Sequence, residues 1–240
     1  MTHTLASTAT LLVMFLGSAV SAVNQAPCCN PKQFTALLET YDTILNNGTV
    51  TTFEGRTEMA YDAINEQVAE IDHVYNDVTG VTVKVKIIYD YKKGKKYIIE
   101  DGQCTRKSLS YPFHEQCIPG IAVFDGTVSV GLGDAFQVNS FHFLIPSGSP
   151  SFDLMVRYGV GAKGCIPYQI SIFATKTHTK GNTGGMKKMG SLPPSHPMFA
   201  WFATPTAGPN KKLSSFHQYS NYQDGIQDPS FWFDPPSGCH

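Results

Sequence analysis

Val81-Thr82-Val83-Lys84-Val85-Lys86-Ile87-Ile88-Tyr89-Asp90-Tyr91 keeps a period of two along its whole length. Val81, Val83, Val85, Ile87, Tyr89 and Tyr91 fall on one side of an extended chain, and Thr82, Lys84, Lys86, Ile88 and Asp90 fall on the other. One face is therefore apolar and the other mostly wet. Lys92-Lys93-Gly94-Lys95 then supplies a turn, and Tyr97 to Asp101 runs back, which predicts a β-hairpin. The lysines at its tip invite a nucleic-acid or heparin reading, but a solvated hairpin tip accounts for them without a partner.

The same alternation recurs at Val128 to Leu132, at Phe152, Leu154, Val156 and Tyr158, and at Ile166 to Phe173, each run bounded by Gly, Pro or Ser. A mostly β meander follows, and the 12% aromatic content with 21 Gly and 15 Pro agrees with short strands and many turns. Residues 55 to 75 read two ways. Met59, Ala63, Ile64, Val68 and Ile71 have helical spacing, whereas Met59 and Tyr61 followed by Val68, Glu70 and Asp72 read as two strands around Asn65. From Gly181 to Asn210 the density of proline excludes interior strands and helices. Met198, Phe199, Trp201 and Phe202 make that loop too apolar for a free linker, so it packs on the body or forms a contact patch.

The beginning of the chain sets the compartment. Leu11 to Leu16 is an apolar run too short to span a bilayer, and Val20-Ser21-Ala22 follows with small residues where signal peptidase needs them. Residues 1–22 are read as a signal peptide, which leaves 23–240 as one secreted domain and no membrane-spanning segment. All six cysteines, Cys28, Cys29, Cys104, Cys117, Cys165 and Cys239, lie beyond the cleavage point. An even number in an oxidising compartment predicts three disulfides, in any of fifteen pairings, and no C-x-x-C pair suggests zinc. Asn47-Gly48-Thr49 is the expected glycosylation site. With charged residues at 15% and a formal net charge of -1, no global field attracts nucleic acid.

Nucleophile-elbow, P-loop, Rossmann, EF-hand and zincin patterns are absent from the sequence. The histidines, including His114, His142, His178, His196 and His217, are scattered, and Asp90, Asp101, Asp125, Asp134 and Asp153 sit at strand ends or turns. No enzyme is expected; one would require the fold to bring a His and a carboxylate within reach of a Ser or Cys. No organic cofactor is expected either. Calcium is the hard cation the dispersed carboxylates would hold jointly, and its ligands stay unassigned.

Several local patterns, in order, resemble the ependymin and ependymin-related family. They are Pro27-Cys28-Cys29-Asn30-Pro31; Tyr61-Asp62-Ala63-Ile64-Asn65-Glu66-Gln67-Val68; Gly94-Lys95-Lys96-Tyr97 through Cys104 to Leu109; Ile118-Pro119; Gly164-Cys165-Ile166-Pro167; and Asp228-Pro229-Ser230-Phe231 with Asp234 to Cys239. The resemblance implies two curved antiparallel sheets in a half-barrel-like sandwich with a deep apolar cleft, similar to bacterial lipoprotein carriers, with few short helices. It also implies a hydrophobic ligand such as a fatty acid or lipid, calcium association and a homodimer. Val83, Val85, Ile87, Tyr89, Tyr97, Ile99, Leu154, Val156 and Tyr158 are the candidates for the apolar face of the cleft. The family arrangement suggests Cys104 with Cys239, Cys28 or Cys29 with Cys165, and the remaining one of that pair with Cys117. It also makes residues 55 to 75 a strand hairpin. The expected function is a secreted carrier of an apolar ligand, set against a calcium-dependent matrix or adhesion protein with no small ligand.

Overall fold

A computed structural model of the chain describes residues 25–46, 49–76, 81–131, 136–146, 152–176 and 212–239. Residues 1–22, read as a signal peptide, the expected glycosylation site Asn47 and the proline-rich segment 181–210 lie outside the described residues. At several strand ends, Val83 and Phe152 included, only the backbone is described.

The strands are β1 (Gln33–Asn46), β2 (Thr49–Asp62), β3 (Gln67–Asn76), β4 (Val81–Asp90), β5 (Lys95–Glu100), β6 (Gln103–Ser108), β7 (Val123–Val130), β8 (Phe136–Pro146), β9 (Phe152–Gly161), β10 (Pro167–Lys176) and β11 (Lys212–Asp224). A short helix, α1 (Pro229–Phe233), follows them. The mostly β, antiparallel class expected from the sequence is what the chain adopts, and residues 55 to 75 contribute to the β2–β3 hairpin. Asp62 makes that turn: its Oδ1 accepts from the backbone N–H of Ile64 and of Asn65, so the side chain closes the chain reversal that the helical spacing would not have allowed.

Among the described residues the eleven strands form one antiparallel sheet in the order β6-β5-β4-β3-β2-β1-β11-β10-β9-β8-β7. The expected two sheets are thus two meanders, β1 to β6 and β7 to β11, fused along a seam where β1 pairs with β11 from Phe34↔Asp224 to Leu45↔Lys212. Side chains from both meanders meet in a single buried cluster that includes Phe34, Met59, Tyr61 and Val68 from one half and Phe141, Phe143, Val156, Tyr158 and Ile172 from the other. The sheet therefore curls, and its concave face supplies most of the core.

One end of that face is plugged. The crossover between β6 and β7 places Phe113 against Tyr61 and Tyr91, at ring-centroid distances of 5.9 and 5.3 Å, and buries Ile118. The Tyr61 hydroxyl oxygen accepts from the Gln116 N–H at 2.9 Å, and Asn30 Nδ2 donates to Gln116 Oε1 and to the Tyr158 hydroxyl. Disulfides Cys28–Cys165 and Cys29–Cys117 tie the segment preceding β1 to the β9–β10 turn and to the crossover. The third, Cys104–Cys239, ties β6 to the segment after α1.

The convex face carries a smaller cluster of Ala60, Ala69, Ile88, Tyr97 and Phe233, flanked by Ile99, Trp232 and the Cys104–Cys239 bridge. Phe233 reaches this face because α1 is held over it by an N-cap, in which Asp228 Oδ1 accepts from the Phe231 N–H at 3.0 Å, and by the disulfide beyond its end.

The packing makes a stability prediction. Phe143, 1% exposed in the shared cluster, should cost about 3 to 5 kcal/mol when replaced by alanine. Val128, 54% exposed on the edge strand, should cost less than about 0.5 kcal/mol on the same change. Denaturant unfolding with the disulfides intact measures both, and equal costs would contradict the assignment of the concave face as core.

Candidate ligand site on the concave face

The pairing register builds the site row by row. Across β1 to β5, three cross-strand rows share the concave face: Phe34, Tyr61, Val68, Tyr89 and Lys96; then Ala36, Met59, Glu70, Ile87 and Ile98; then Leu38, Thr57, Asp72, Val85 and Glu100. Beyond the seam the rows are Thr40, His217, Ile170, Tyr158 and Phe141, and Asp42, Ser215, Ile172, Val156 and Phe143. Most of the first row and the far ends of the last two are core. Polar residues enter where the two halves meet.

A cavity of about 110 Å³ opens there, lined by Leu38, Thr40, Thr57, Glu70, Asp72, Ile170, His217 and Tyr219. Thr57 Oγ1 donates to Asp72 Oδ1 at 2.7 Å. The Ser215 hydroxyl donates to Asp42 Oδ1, so its oxygen accepts from His217 Nε2–H at 2.6 Å, and His217 Nδ1 then accepts from Thr40 Oγ1 at 3.1 Å. Burial holds the His217 pKa below its ordinary value and so favours the neutral imidazole with its proton on Nε2, opposed in part by the Asp42 charge. A Ser, a His and a carboxylate are within reach of one another, but not in hydrolase order. The serine stands between the acid and the imidazole and gives its proton to Asp42, so the histidine is not the base on that hydroxyl.

Glu70 is the outlier of its row, a carboxyl among Ala36, Met59, Ile87 and Ile98. Burial pushes its pKa from 4.5 up to about 7; the Asp72 charge adds to the rise, while the Lys96 charge and a hydrogen bond with Tyr89 oppose it. Lys96 lies outside the cavity, with Nζ 4.9 Å from the centre of the Tyr89 ring.

Of the residues expected to line the cleft, Val85, Ile87 and Tyr89 of β4 and Leu154, Val156 and Tyr158 of β9 lie on the concave face. Val156 and Tyr158 are buried in the core, and Leu154 packs against it. Tyr97 and Ile99 do not belong to this set. They pair with Ile88 and Lys86, which puts them on the convex face beside α1. Ile98 takes the concave position instead. The Val83 side chain is outside the described residues. Thr40, Thr57, Glu70, Asp72 and His217 were not singled out as lining residues from sequence; the strand reading of Val68, Glu70 and Asp72 is the one signal that puts a carboxyl on the same face as the core. Among the described residues, Cys29, Glu115 and Cys117 bring metal-ligand atoms within 4.8 Å of one another, but both sulfurs are committed to a disulfide.

Fold and site together define an antiparallel β protein tied by three disulfides, with a concave face filled at one end and partly polar in the middle. A family profile, Ependymin, matches residues 79–189. Ependymin-related protein 2 of Haliotis asinina is 30% identical over 176 residues, covering 69% of this chain and 80% of that protein. The chain belongs to the ependymin-related family. Solved structures similar to it include a LolA superfamily protein from Nitrosomonas europaea, at 11% identity and a TM-score of 0.34 over 85% of this chain and 90% of that one. A DUF1329 family protein from Desulfovibrio piger shows 9% identity and a TM-score of 0.30 over 84% and 90%. Among the described residues no helix is long and apolar enough to cross a membrane.

The raised Glu70 pKa has a definite thermodynamic sign. The unfolded chain ionises near 4.5 and the folded chain near 7, so stability is lost as pH rises through that interval and stays lower above it. Glu70→Gln should therefore leave stability unchanged at pH below about 4.5 and raise it above pH 7, by up to about 3 kcal/mol. His217 acts in the opposite direction in both proteins, since its lowered pKa removes stability as pH falls through its ordinary value of 6.5. Thermal unfolding of variant against wild type across pH isolates the Glu70 contribution, and a pH-independent difference would rule it out.

Proposed function

We propose that the protein is a secreted carrier whose concave sheet face holds the apolar part of a lipid-like ligand. The observation that carries this reading is an incomplete core. Val85, Ile87 and Ile98 stand on the concave face, partly exposed, and lie outside both buried clusters, while Phe143, Ile145 and Val156 across the curl are fully packed. Ile87 and Ile98 are directly opposed cross-strand neighbours, and Val85 lies two residues along β4, so the three make one continuous apolar strip. Covering such side chains contributes roughly 1 kcal/mol or more each, enough to hold an apolar chain when several act together.

The strip adjoins the cavity, because Ile87 pairs with Glu70 and Val85 with Asp72. At about 110 Å³ the cavity is smaller than the roughly 300 to 1,000 Å³ of sites that enclose a whole small molecule. An acyl chain would accordingly lie along the strip, with only a head group entering the cavity. Secretion fits the three disulfides, which persist in oxidising compartments. Calcium association and homodimerisation enter the proposal on the family resemblance alone.

Native mass spectrometry of protein secreted from a eukaryotic host, before and after mild organic extraction, tests the reading. A bound lipid mass that extraction removes is the expected result, and Ile87→Asp should lower its occupancy several-fold while the fold survives, since Ile87 is not core. The same spectra read bound calcium and assembly mass. Protein that never carries an extractable mass, and takes up no added lipid, would refute the carrier.

A further inference from the structure

The cavity beside the apolar strip has a chemistry of its own, and it discriminates among amphiphiles. Its polar lining consists of the carboxyls of Glu70 and Asp72, the hydroxyls of Thr40, Thr57 and Tyr219, and a histidine. Among the described residues no lysine or arginine lines it; Lys96, whose charge reaches Glu70, lies outside the cavity with its Nζ over the Tyr89 ring. His217 is hydrogen-bonded to Ser215 and Thr40, and its burial favours the uncharged ring. Asp72 is oriented by Thr57. A carboxylate or phosphate head placed here would meet like charge in a partly desolvated setting, which is destabilising, whereas an ammonium would meet acceptors.

We propose that this cavity receives the protonated amino head of a long-chain amine, with Asp72 as its counter-ion and with the chain lying on Val85, Ile87 and Ile98. The inference rests on the carrier reading and narrows it from lipids in general to amphiphiles with a cationic amino head. The geometry supports it from two sides. Asp72 and Val85 are cross-strand partners, as are Glu70 and Ile87, so the polar and apolar parts of one ligand are met on adjacent strands. The volume, about 110 Å³, admits a head of a few heavy atoms and excludes the chain. Leu38 and Ile170 complete the wall with apolar side chains.

Displacement of the neutral dye Nile red from the disulfide-intact full chain, below micellar concentrations, tests this with dodecylamine, dodecanol and dodecanoate, which share one chain and differ in the head. Dodecylamine should displace the dye at a concentration about tenfold or more below that of dodecanoate at neutral pH, the worth of a charge-assisted hydrogen bond against like-charge contact. Asp72→Asn should bring dodecylamine to within a few-fold of dodecanol and leave dodecanol unchanged; should that variant fail to fold, Thr57→Val, which releases the Asp72 carboxyl, should cut the amine preference in the same direction. Dodecanoate binding as tightly as the amine would overturn the head-group assignment while leaving the carrier intact. An amine preference that survives a folded Asp72→Asn or Thr57→Val variant would overturn Asp72 as the counter-ion. Failure of all three compounds to displace or bind would refute the carrier reading itself.

Discussion

Everything in this fold hangs on the pairing of the first strand with the last. β1 pairs with β2 along its whole length and with β11 along most of it, so one strand stands at the centre of both meanders. Most contacts within each meander are between strands joined by short turns, the β10–β11 pair across residues 177–211 being the exception. The seam joins Phe34 to Asp224, and its entropy of closure is met only once both meanders exist. Two disulfides reinforce that joint from outside the sheet, by fixing the segment just before β1 to the crossover and to the β9–β10 turn. Cys165 is itself in the left-handed region at φ 52°, next to Gly164 at φ 76°, a conformation unfavourable for a side chain with a Cβ and kept here by the surrounding turn and the bridge.

Because the seam curls the sheet, the two faces have unequal jobs. The concave face packs against itself, and the convex face at Ile88 needs a cover. α1 and the Cys104–Cys239 bridge supply it, with Phe233 buried to 7% exposure over Ala60 and Ala69. Two alanines at adjacent register positions leave room for that ring, which larger residues would exclude.

Period-two alternation in β4 was enough to reveal the fold class and the concave identity of Val85, Ile87 and Tyr89. It misled at two points for one reason. Ile88 falls among the lysines of the outward face and reads as an exception to a wet surface, yet it is fully buried, because α1 arrives from residue 229 onward to cover it. In β5, Tyr97, Ile98 and Ile99 are consecutive apolar residues, so alternation carries no phase there, and the turn from Tyr91 to Gly94 decides which of them faces inward. The cavity residues were harder still. Thr40 and His217 are 177 positions apart, and Glu70 and Asp72 arrive from a third strand; only the β1–β11 seam makes them neighbours.

That same distance along the chain makes the polar interior informative. A strand that only needed to fill space would continue the row Ala36, Met59, Ile87, Ile98 with an apolar residue at position 70, since burying a carboxyl is unfavourable and a well-packed hydrophobe in its place is often neutral or stabilising. With Glu70 there instead, the row is interrupted on β3, Asp72 is kept oriented by Thr57, and His217 is hydrogen-bonded to Ser215 and Thr40. These groups are satisfied largely by one another and still leave a cavity between them. The concave face is thus divided by chemistry, packed hydrocarbon at the plugged end and acceptor-rich space at the seam, and the aliphatic strip of β4 and β5 borders the second region directly through the pairs Glu70↔Ile87 and Asp72↔Val85. An occupant that satisfies both must be amphipathic, because an apolar one would leave the carboxyls unmatched and a polar one would leave Val85, Ile87 and Ile98 in water.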